Sequence, residues 1–168
     1  MTDDLVGRMV AVSELHGEFV LSSGATSTVY FDKFRFLTRP DLLRDVAAAV
    51  AERLAPGTQL LGAPEGAAML LVAAVSLATG LPVAVVRKQP KAYGKRKQVE
   101  GAVAPGAVTT LLEDVSTTGH QVRAAAEVLA AAGADVRRIV LAIDRGGADH
   151  LRGAGYDVDA VAVLRPTV

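Results

Sequence analysis

Two neighbouring carboxylates precede a hydroxyl-rich turn in the stretch LLEDVSTTGHQV, residues 111–122. Glu113 and Asp114 end an apolar run that is typical of a buried strand. The turn and the helix-like segment behind it supply hydroxyl groups, a glycine and backbone N–H groups, from Ser116, Thr117, Thr118, Gly119, His120 and Gln121. N–H groups at a helix N-terminus bind phosphate, whereas carboxylates repel it and accept hydrogen bonds from vicinal sugar hydroxyls. The stretch therefore predicts a ribose 5-phosphate site; the alternative is a capped helix behind an exposed acidic pair.

A second pattern in the same stretch predicts where the helix starts. Thr118 and Gln121 match the capping box S/T-x-x-E/Q, so we expect the helix to begin at Thr118. Gly119 allows the backbone to approach a ligand closely. Two other phosphate motifs are absent from the sequence, the G-x-x-x-x-G-K-[ST] loop and a G-x-G-x-x-G turn after a strand.

A cluster of basic residues follows a strand-like run in VRKQPKAYGKRKQVEG, residues 86–101. It holds six of the 18 lysines and arginines of the chain: Arg87, Lys88, Lys91, Lys95, Arg96 and Lys97. Most charge clusters of this kind are solvated surface loops. This one lacks apolar periodicity, so we expect a mobile loop over about residues 88–100. Beside a phosphate site, such a loop can neutralise charge that develops on a polyanion.

Composition excludes several other classes of function. Lysine plus arginine equals aspartate plus glutamate at 18 each, so no basic field favours nucleic acid or an anionic membrane. The chain has no cysteine, which excludes disulfides and thiolate metal sites. Its first residues lack the basic region of a signal peptide, and its apolar runs are too short to span a bilayer. These features predict a cytoplasmic protein with no membrane or nucleic-acid partner.

The elements that must position these residues alternate along the chain. Strands are predicted over residues 58–63, 81–88, 107–114, 136–144 and 157–164, and helices over 2–15, 39–57, 66–80, 120–133 and 147–153. This alternation predicts an α/β fold with a mainly parallel central sheet flanked by helices on both faces. Residues 17–36, rich in glycine, serine, threonine and aromatics, predict a small β-hairpin hood. With no linker or internal repeat, residues 1–168 are predicted to form one domain.

Four motifs together resemble one enzyme family. LLEDVSTTG is similar to the donor-binding motif of type I phosphoribosyltransferases, and residues 87–94 match the pattern R-K-x-x-K-x-[HY]-G of the orotate phosphoribosyltransferase loop. GEFVLSSGATSTVYFD, residues 17–32, resembles that family's hood, and AIDRGG, residues 142–147, matches its D-R pair. The resemblance runs over about residues 15–165. It implies a type I phosphoribosyltransferase fold and the activity of an orotate phosphoribosyltransferase.

The resemblance also implies a reaction, a metal and a set of site residues. Orotate would displace diphosphate from 5-phospho-α-D-ribose 1-diphosphate (the phosphoribosyl donor), with Mg²⁺ held mainly by the donor and water. Catalysis is assigned to Lys91, Arg87 and Asp114. The donor would contact Arg87, Lys88, Lys91, Tyr93, Glu113, Asp114, Ser116, Thr117, Thr118, Gly119, His120 and Gln121, and orotate would contact Tyr30, Phe31, Thr117 and Arg145. In the family the loop of one subunit reaches its mate's site, so a homodimer with shared active sites is also implied.

Some positions depart from the family's pattern and keep two alternatives open. Ser22 stands where a hood lysine is common, and the loop GAPEGAAM, residues 62–69, matches the family's diphosphate loop only loosely. The departures there are Glu65, Ala67 and Met69, and His120 replaces a small residue of the phosphate loop. The alternatives are a phosphoribosyltransferase for another base, such as a purine or xanthine, and a regulator that binds the donor without reacting it.

Overall fold

The computed structural model describes residues 2–20, 24, 26–89 and 98–165. Along the chain its elements are α1 (Thr2–Ser13), β1 (Glu14–Val20), β2 (Thr26–Phe31), α2 (Phe34–Leu37), α3 (Pro40–Ala51), β3 (Leu60–Pro64), α4 (Ala68–Thr79), β4 (Val83–Val86), β5 (Val99–Glu100), β6 (Val108–Ser116), α5 (His120–Ala131), β7 (Asp135–Asp144), α6 (Gly147–Gly153) and β8 (Val158–Val163). In this described part of the chain, every helix is too short or too polar to cross a bilayer.

Six strands form the central sheet in the order β5-β4-β3-β6-β7-β8. All neighbours pair in parallel except β4 and β5, which are antiparallel. The predicted mainly parallel α/β sheet is therefore confirmed. The chain proceeds from β3 toward one edge of the sheet and from β6 toward the other, so the strand order reverses between β3 and β6. In open α/β sheets, ligands bind beyond the carboxyl ends of the strands at such a reversal.

Helices cover both faces of the sheet, and each face has its own apolar core. Leu112 of β6 packs into a core with α1, α3 and α4. Its neighbour Leu111 packs into a second core with α5 and α6. Because successive side chains of a strand point to opposite faces, the unbroken run of buried residues from Thr109 to Asp114 shows that β6 is covered on both faces.

The predicted hairpin hood is present as a separate two-stranded antiparallel sheet of β1 and β2. It begins earlier than predicted, because α1 ends at Ser13 and Glu14 already belongs to β1. The backbone N–H of Asp32 donates to Ser13 O at 2.8 Å, and the Phe31 ring lies 6.4 Å from the buried Phe36 ring. These contacts fasten the end of the hood to the helical layer.

The basic loop is shorter than predicted at its C-terminal end. The prediction extended it to residue 100, but Val99 and Glu100 form β5 against β4. The pairing starts where the Arg87 N–H donates to Gln98 O at 2.8 Å. The edge strand β4 would otherwise leave its backbone groups unpaired, which explains why the returning chain adds a strand there.

Candidate active site

The acid pair lies inside the central strand of the sheet rather than at its end. Strand β6 continues to Ser116, which pairs with Asp144 of β7. Glu113 and Asp114 are 4% and 1% exposed. The predicted acids are therefore buried groups at the carboxyl edge of the sheet, beside the strand-order reversal, and not the exposed pair of the alternative interpretation.

The helix after the acids begins later than the capping box predicted, so that prediction was wrong. Helix α5 starts at His120, its N-cap is Gly119 with φ 78°, and no side chain caps it. With the strand continuing to Ser116, the chain must reverse within residues 117–119. A left-handed glycine makes that reversal, which leaves Thr118 one residue too early to cap. A Cβ on Gly119 would also meet Gly147 O at 2.9 Å.

The turn at residues 117–119 is held against the start of α6. A Cβ on Gly147 would collide with the Ser116 side chain, and the backbone N–H of Arg145 donates to Ser116 O at 2.8 Å. The Asp144 Oδ1 accepts hydrogen bonds from the N–H groups of Gly146 and Ala148 at 2.8 and 3.0 Å. Asp144 thus shapes the turn that carries Arg145. Thr117 and Thr118, in the turn before α5, are exposed to solvent.

Two charges of opposite sign meet at the acid pair. Lys33 Nζ lies 2.8 Å from Asp114 Oδ2, and the Asp114 N–H donates to Glu113 Oε1 at 3.2 Å. Burial, followed by the neighbouring Asp114 carboxyl, raises the pKa of Glu113 from 4.5 to about 9, and the Lys33 charge opposes this rise. Near neutral pH the two acids therefore carry less than two negative charges.

A cleft of about 210 Å³ lies between the foot of the basic loop, where the loop leaves β4 and returns to β5, and the first turns of α5. It is lined by Pro64, Val86, Arg87, Lys88, Gln98, Gln121, Ala124 and Ala125. Three predicted donor-binding residues, Arg87, Lys88 and Gln121, therefore share one cleft. Among the described residues, the buried Arg87 Nε has no hydrogen-bond partner, so this N–H group is available to an anionic ligand.

Glu65, which departs from the family's diphosphate loop, is tied to the foot of the basic loop. Its Oε1 accepts a hydrogen bond from the Lys88 backbone N–H at 2.7 Å, and its own N–H donates to Val86 O at 2.7 Å. Opposite this contact, the Gln98 Nε2 donates to Arg87 O at 2.9 Å. The Glu65 carboxylate therefore engages protein backbone, which accounts for an acid in a loop expected to face diphosphate.

The structure separates the two hood aromatics. The Arg145 guanidinium lies 5.6 Å from the centroid of the Phe31 ring, within the range of a cation–π contact. Tyr30, the neighbouring residue on β2, instead packs its ring 5.4 Å from Phe19. Successive residues of a strand face opposite ways. Of the predicted pair, Phe31 is the aromatic that lies beside Arg145.

Comparison with known proteins agrees with this geometry. No family model matches the chain. A relative from Nocardioides sp. (strain ATCC BAA-499 / JS614), named orotate phosphoribosyltransferase, is 44% identical over 90% of this chain and 86% of its own. Another of that name, from Halobacterium salinarum, is 39% identical over 95% of this chain and 93% of its own.

The chain belongs to the orotate phosphoribosyltransferase family.

A solved structure agrees with this membership. The crystal structure of Mycobacterium tuberculosis orotate phosphoribosyltransferase, in complex with Fe(III) dicitrate, superposes with a TM-score of 0.86. It is 26% identical and covers 97% of this chain and 96% of its own. The sheet, its flanking helices and the hood are therefore a type I phosphoribosyltransferase fold, as predicted.

Some family positions lie outside the described residues, namely Ser22, Lys91 and Tyr93. In the described part of the chain, no three His, Cys, Asp or Glu side chains are grouped to hold a metal ion. The His120 ring lies 4.7 Å from that of His150 on α6. A larger cleft of about 430 Å³ is lined by Ala11, Val12, Arg35, Thr38 and Arg39 and contains none of the predicted site residues.

Sequence reasoning missed two contacts of this family site. Lys33 belongs to no motif singled out in the sequence, and it lies two residues after the hood's aromatic pair. Glu65 departs from the family's diphosphate loop. Its partner, the Lys88 backbone N–H, follows the neighbouring strand β4, and no local pattern pairs the two residues. Both contacts join segments that are remote in sequence.

The raised pKa of Glu113 predicts a pH-dependent stability. A carboxyl whose pKa is raised on folding holds its proton more tightly in the native state, so stability falls as pH rises from about 4.5 to about 9. Glu113→Gln cannot ionise, and its melting temperature should gain on the parent across that window. About 1 kcal/mol corresponds to roughly 2–4 °C at this size, and we expect a gain of at least that.

Thermal unfolding at pH 5, 7 and 9 measures the effect. Glu52→Gln, at an exposed glutamate just after α3, is the matched control and should follow the parent at each pH. A melting-temperature difference between Glu113→Gln and the parent that is the same at pH 5 and pH 9 would contradict the prediction.

Proposed function

We propose that this chain transfers the phosphoribosyl group of 5-phospho-α-D-ribose 1-diphosphate to orotate in de novo pyrimidine biosynthesis. The bond from ribose C1′ to the diphosphate oxygen breaks, a bond from C1′ to the pyrimidine nitrogen forms, and that nitrogen loses its proton. The products are orotidine 5′-monophosphate and pyrophosphate. The observation that carries the proposal is the buried acid pair beside the turn at residues 117–119, where the strand order reverses. The relatives of the chain are named for this reaction.

The ribose phosphate half of the donor is assigned to β6 and the turn after it. Asp114 and Glu113 are assigned to the ribose hydroxyls. Because the pKa of Glu113 is raised to about 9, Glu113 keeps its proton near neutral pH and is the weaker hydrogen-bond acceptor of the two. The 5′-phosphate is assigned to the backbone N–H groups and hydroxyls that the turn presents at the N-terminus of α5, from Ser116, Thr117, Thr118, Gly119, His120 and Gln121.

The diphosphate is assigned to the cleft at the foot of the basic loop. Negative charge grows on the departing diphosphate while positive charge grows on the sugar, so cations aimed at the leaving group lower the barrier. Arg87 and Lys88 line that cleft, and the resemblance adds Lys91 and Tyr93. The buried, unpartnered Nε of Arg87 supports its role in binding a diphosphate oxygen.

Orotate is assigned to the space between the hood and the turn before α6. Its carboxylate would bind Arg145, whose planar guanidinium suits a bidentate contact. The position of Phe31 beside Arg145 supports a stacking role over the flat pyrimidine ring, and the exposed Thr117 lies in the turn between β6 and α5. Tyr30 stays part of the proposal through the resemblance, although its ring packs on Phe19.

Mg²⁺ is proposed as the metal of the reaction. It is a hard cation that prefers oxygen ligands and retains several waters. Among the described residues of the proposed donor site, the acid pair offers carboxylate oxygens, and the buried Asp114 Oδ2 faces Lys33 Nζ at 2.8 Å with no hydrogen bond from any other described residue. The acids therefore fit a role in orienting the donor hydroxyls, with the ion held mainly by donor oxygens and water.

The remaining features of the proposal follow from the family. Residues 1–168 act as one domain, two chains form a homodimer in which the basic loop serves the partner's site, and the protein works in the cytoplasm without a membrane or nucleic-acid partner. Sedimentation of the purified protein gives the oligomeric state directly.

A base panel tests the function. Orotate absorbance should fall when the protein, Mg²⁺, orotate and the donor are mixed, and uracil, adenine and xanthine should not be consumed. Consumption of a purine in place of orotate would assign another base. Donor binding by calorimetry without turnover of any base would identify a regulator instead.

Orotate selection is predicted to depend on Arg145. Arg145→Ala should raise the orotate KM by a factor on the order of tens, because a charge-assisted contact to the carboxylate is lost. Donor affinity should change little. Arg137→Ala, which removes an exposed arginine paired with Asp135 near the start of β7, is the control and should leave both constants unchanged. An unchanged orotate KM in Arg145→Ala would remove the carboxylate contact.

A further inference from the structure

Lys33 is placed between the hood and the buried acids of the site. It is the second residue after β2 and the N-cap residue of α2. Its side chain is 39% exposed, and its Nζ lies 2.8 Å from Asp114 Oδ2. That oxygen is buried and accepts no hydrogen bond from any other group in the described part of the chain. Lys33 thus supplies the charge that faces this almost fully buried carboxylate.

Asp114 is 1% exposed, so little water can hold its carboxylate in place. A hydrogen bond between charged groups is about twice as strong as a neutral one. The Lys33 ammonium group lies at such a distance from Asp114 Oδ2. The contact therefore orients the carboxylate that the ribose hydroxyls would meet.

The contact also joins two halves of the site that belong to different parts of the fold. Lys33 reaches Asp114 on the ribose side, while Phe31, two residues earlier at the end of β2, reaches Arg145 on the base side. The short segment from residue 31 to residue 33 therefore contacts both. Loss of the Lys33 charge is expected to affect the ribose side, since the Phe31 contact does not depend on it.

We propose that Lys33 is a positioning residue for donor binding, which holds the Asp114 carboxylate oriented toward the ribose hydroxyls. The inference rests on the proposed function, because it assigns the ribose to Asp114. Lys33 acts through Asp114, so its removal should weaken donor binding and leave orotate recognition unchanged.

Three variants test the inference. Lys33→Met keeps the length of the side chain and removes its charge, and Lys33→Arg restores a charge. Arg8→Met is the matched control, because the Arg8 side chain is also 39% exposed and also lies 2.8 Å from a carboxylate, that of Asp45 on α3, which is not among the proposed site residues. Circular dichroism and thermal unfolding establish that each variant is folded.

Calorimetric titration with the donor and Mg²⁺ is the primary measurement. We expect the dissociation constant to rise about tenfold or more in Lys33→Met, to recover to within about threefold of the parent in Lys33→Arg, and to stay within about twofold in Arg8→Met. The orotate KM at saturating donor should be unchanged in all three. If Lys33→Met does not fold, Lys33→Gln replaces it with the same expectation.

The outcomes separate the inference from the proposed function. Donor affinity in the charge-removing variant equal to that of the parent overturns the role of Lys33, whatever the turnover. Equal losses in Lys33→Met and Lys33→Arg overturn it as well, because the charge would then not be the cause. If the parent binds the donor but does not consume orotate, the proposed function fails while the titration still tests Lys33. A parent that does not bind the donor at all overturns both.

Discussion

Asp114→Ala is expected to weaken binding of the phosphoribosyl donor by at least about 30-fold, because one hydrogen bond to a charged group contributes roughly 2 kcal/mol. Turnover should fall with it. The protein should remain folded: Lys33, the partner left behind, is 39% exposed and can be solvated. Glu113 also loses the neighbouring carboxyl that helps to raise its pKa. Calorimetry with Mg²⁺ and the donor measures the affinity, and thermal unfolding establishes the fold.

Asp45→Asn is the matched control for that experiment. Asp45 is also a carboxylate paired with a basic side chain at 2.8 Å, but it lies on α3, outside the site. Its variant should bind the donor as the parent does. An Asp114→Ala protein with unchanged donor affinity would remove the ribose from the acid pair, and the role of Lys33 would fall with it.

Lys91→Ala is expected to lower kcat by about 100-fold or more, comparable to the loss of one preorganised charge-stabilising donor. Charge on the departing diphosphate peaks in the transition state, so a lysine that meets it there affects kcat more than KM. Steady-state kinetics with orotate measure both constants. Lys95→Ala, elsewhere in the same basic cluster, is the control and should retain most of the activity. A KM effect without a kcat effect would assign Lys91 to donor binding alone.

Mixing two inactive chains tests whether the proposed homodimer shares its sites. In a dimer of Lys91→Ala with Asp114→Ala, one site receives an intact loop from one chain and intact acids from the other. Some activity should return if the loop serves the partner's site. Mixed dimers that form but show no more activity than their parents would assign the loop to its own subunit, and a monomer in sedimentation would remove the dimer.

The elements were predictable because their signals are local. The Val/Ile/Leu runs of β6, β7 and β8 predicted a sheet buried on both faces, and Gly80 with φ 74° ends α4 as its position predicted. The capping-box prediction failed at Thr118 because the start of α5 depends on where β6 ends. Pattern alone did not indicate that β6 continues to Ser116, and those extra strand residues made Gly119 the turning point.

Within the candidate site, residue types were predictable and their mutual geometry was not. The sequence singled out the acid pair, the phosphate turn, the basic cluster and Arg145. It treated Tyr30 and Phe31 as one stacking pair, but strand alternation in the folded hood places Phe31 beside Arg145 and Tyr30 on Phe19. The sequence also offered no reason for Glu65, whose carboxylate accepts a hydrogen bond from the Lys88 N–H in the folded chain.

By itself, the sequence determined the parallel α/β architecture, the hood and the chemistry that the carboxyl edge of the sheet offers. Hydrophobic periodicity and turn residues specify these features through patterns that span only a few neighbouring positions. Only the tertiary structure decided that Lys33 faces Asp114 and that burial raises the pKa of Glu113 to about 9. Both depend on burial and on distances of a few ångströms between segments remote in the chain. Such contacts are set by the packing of hood, sheet and helices together, and no local pattern encodes them.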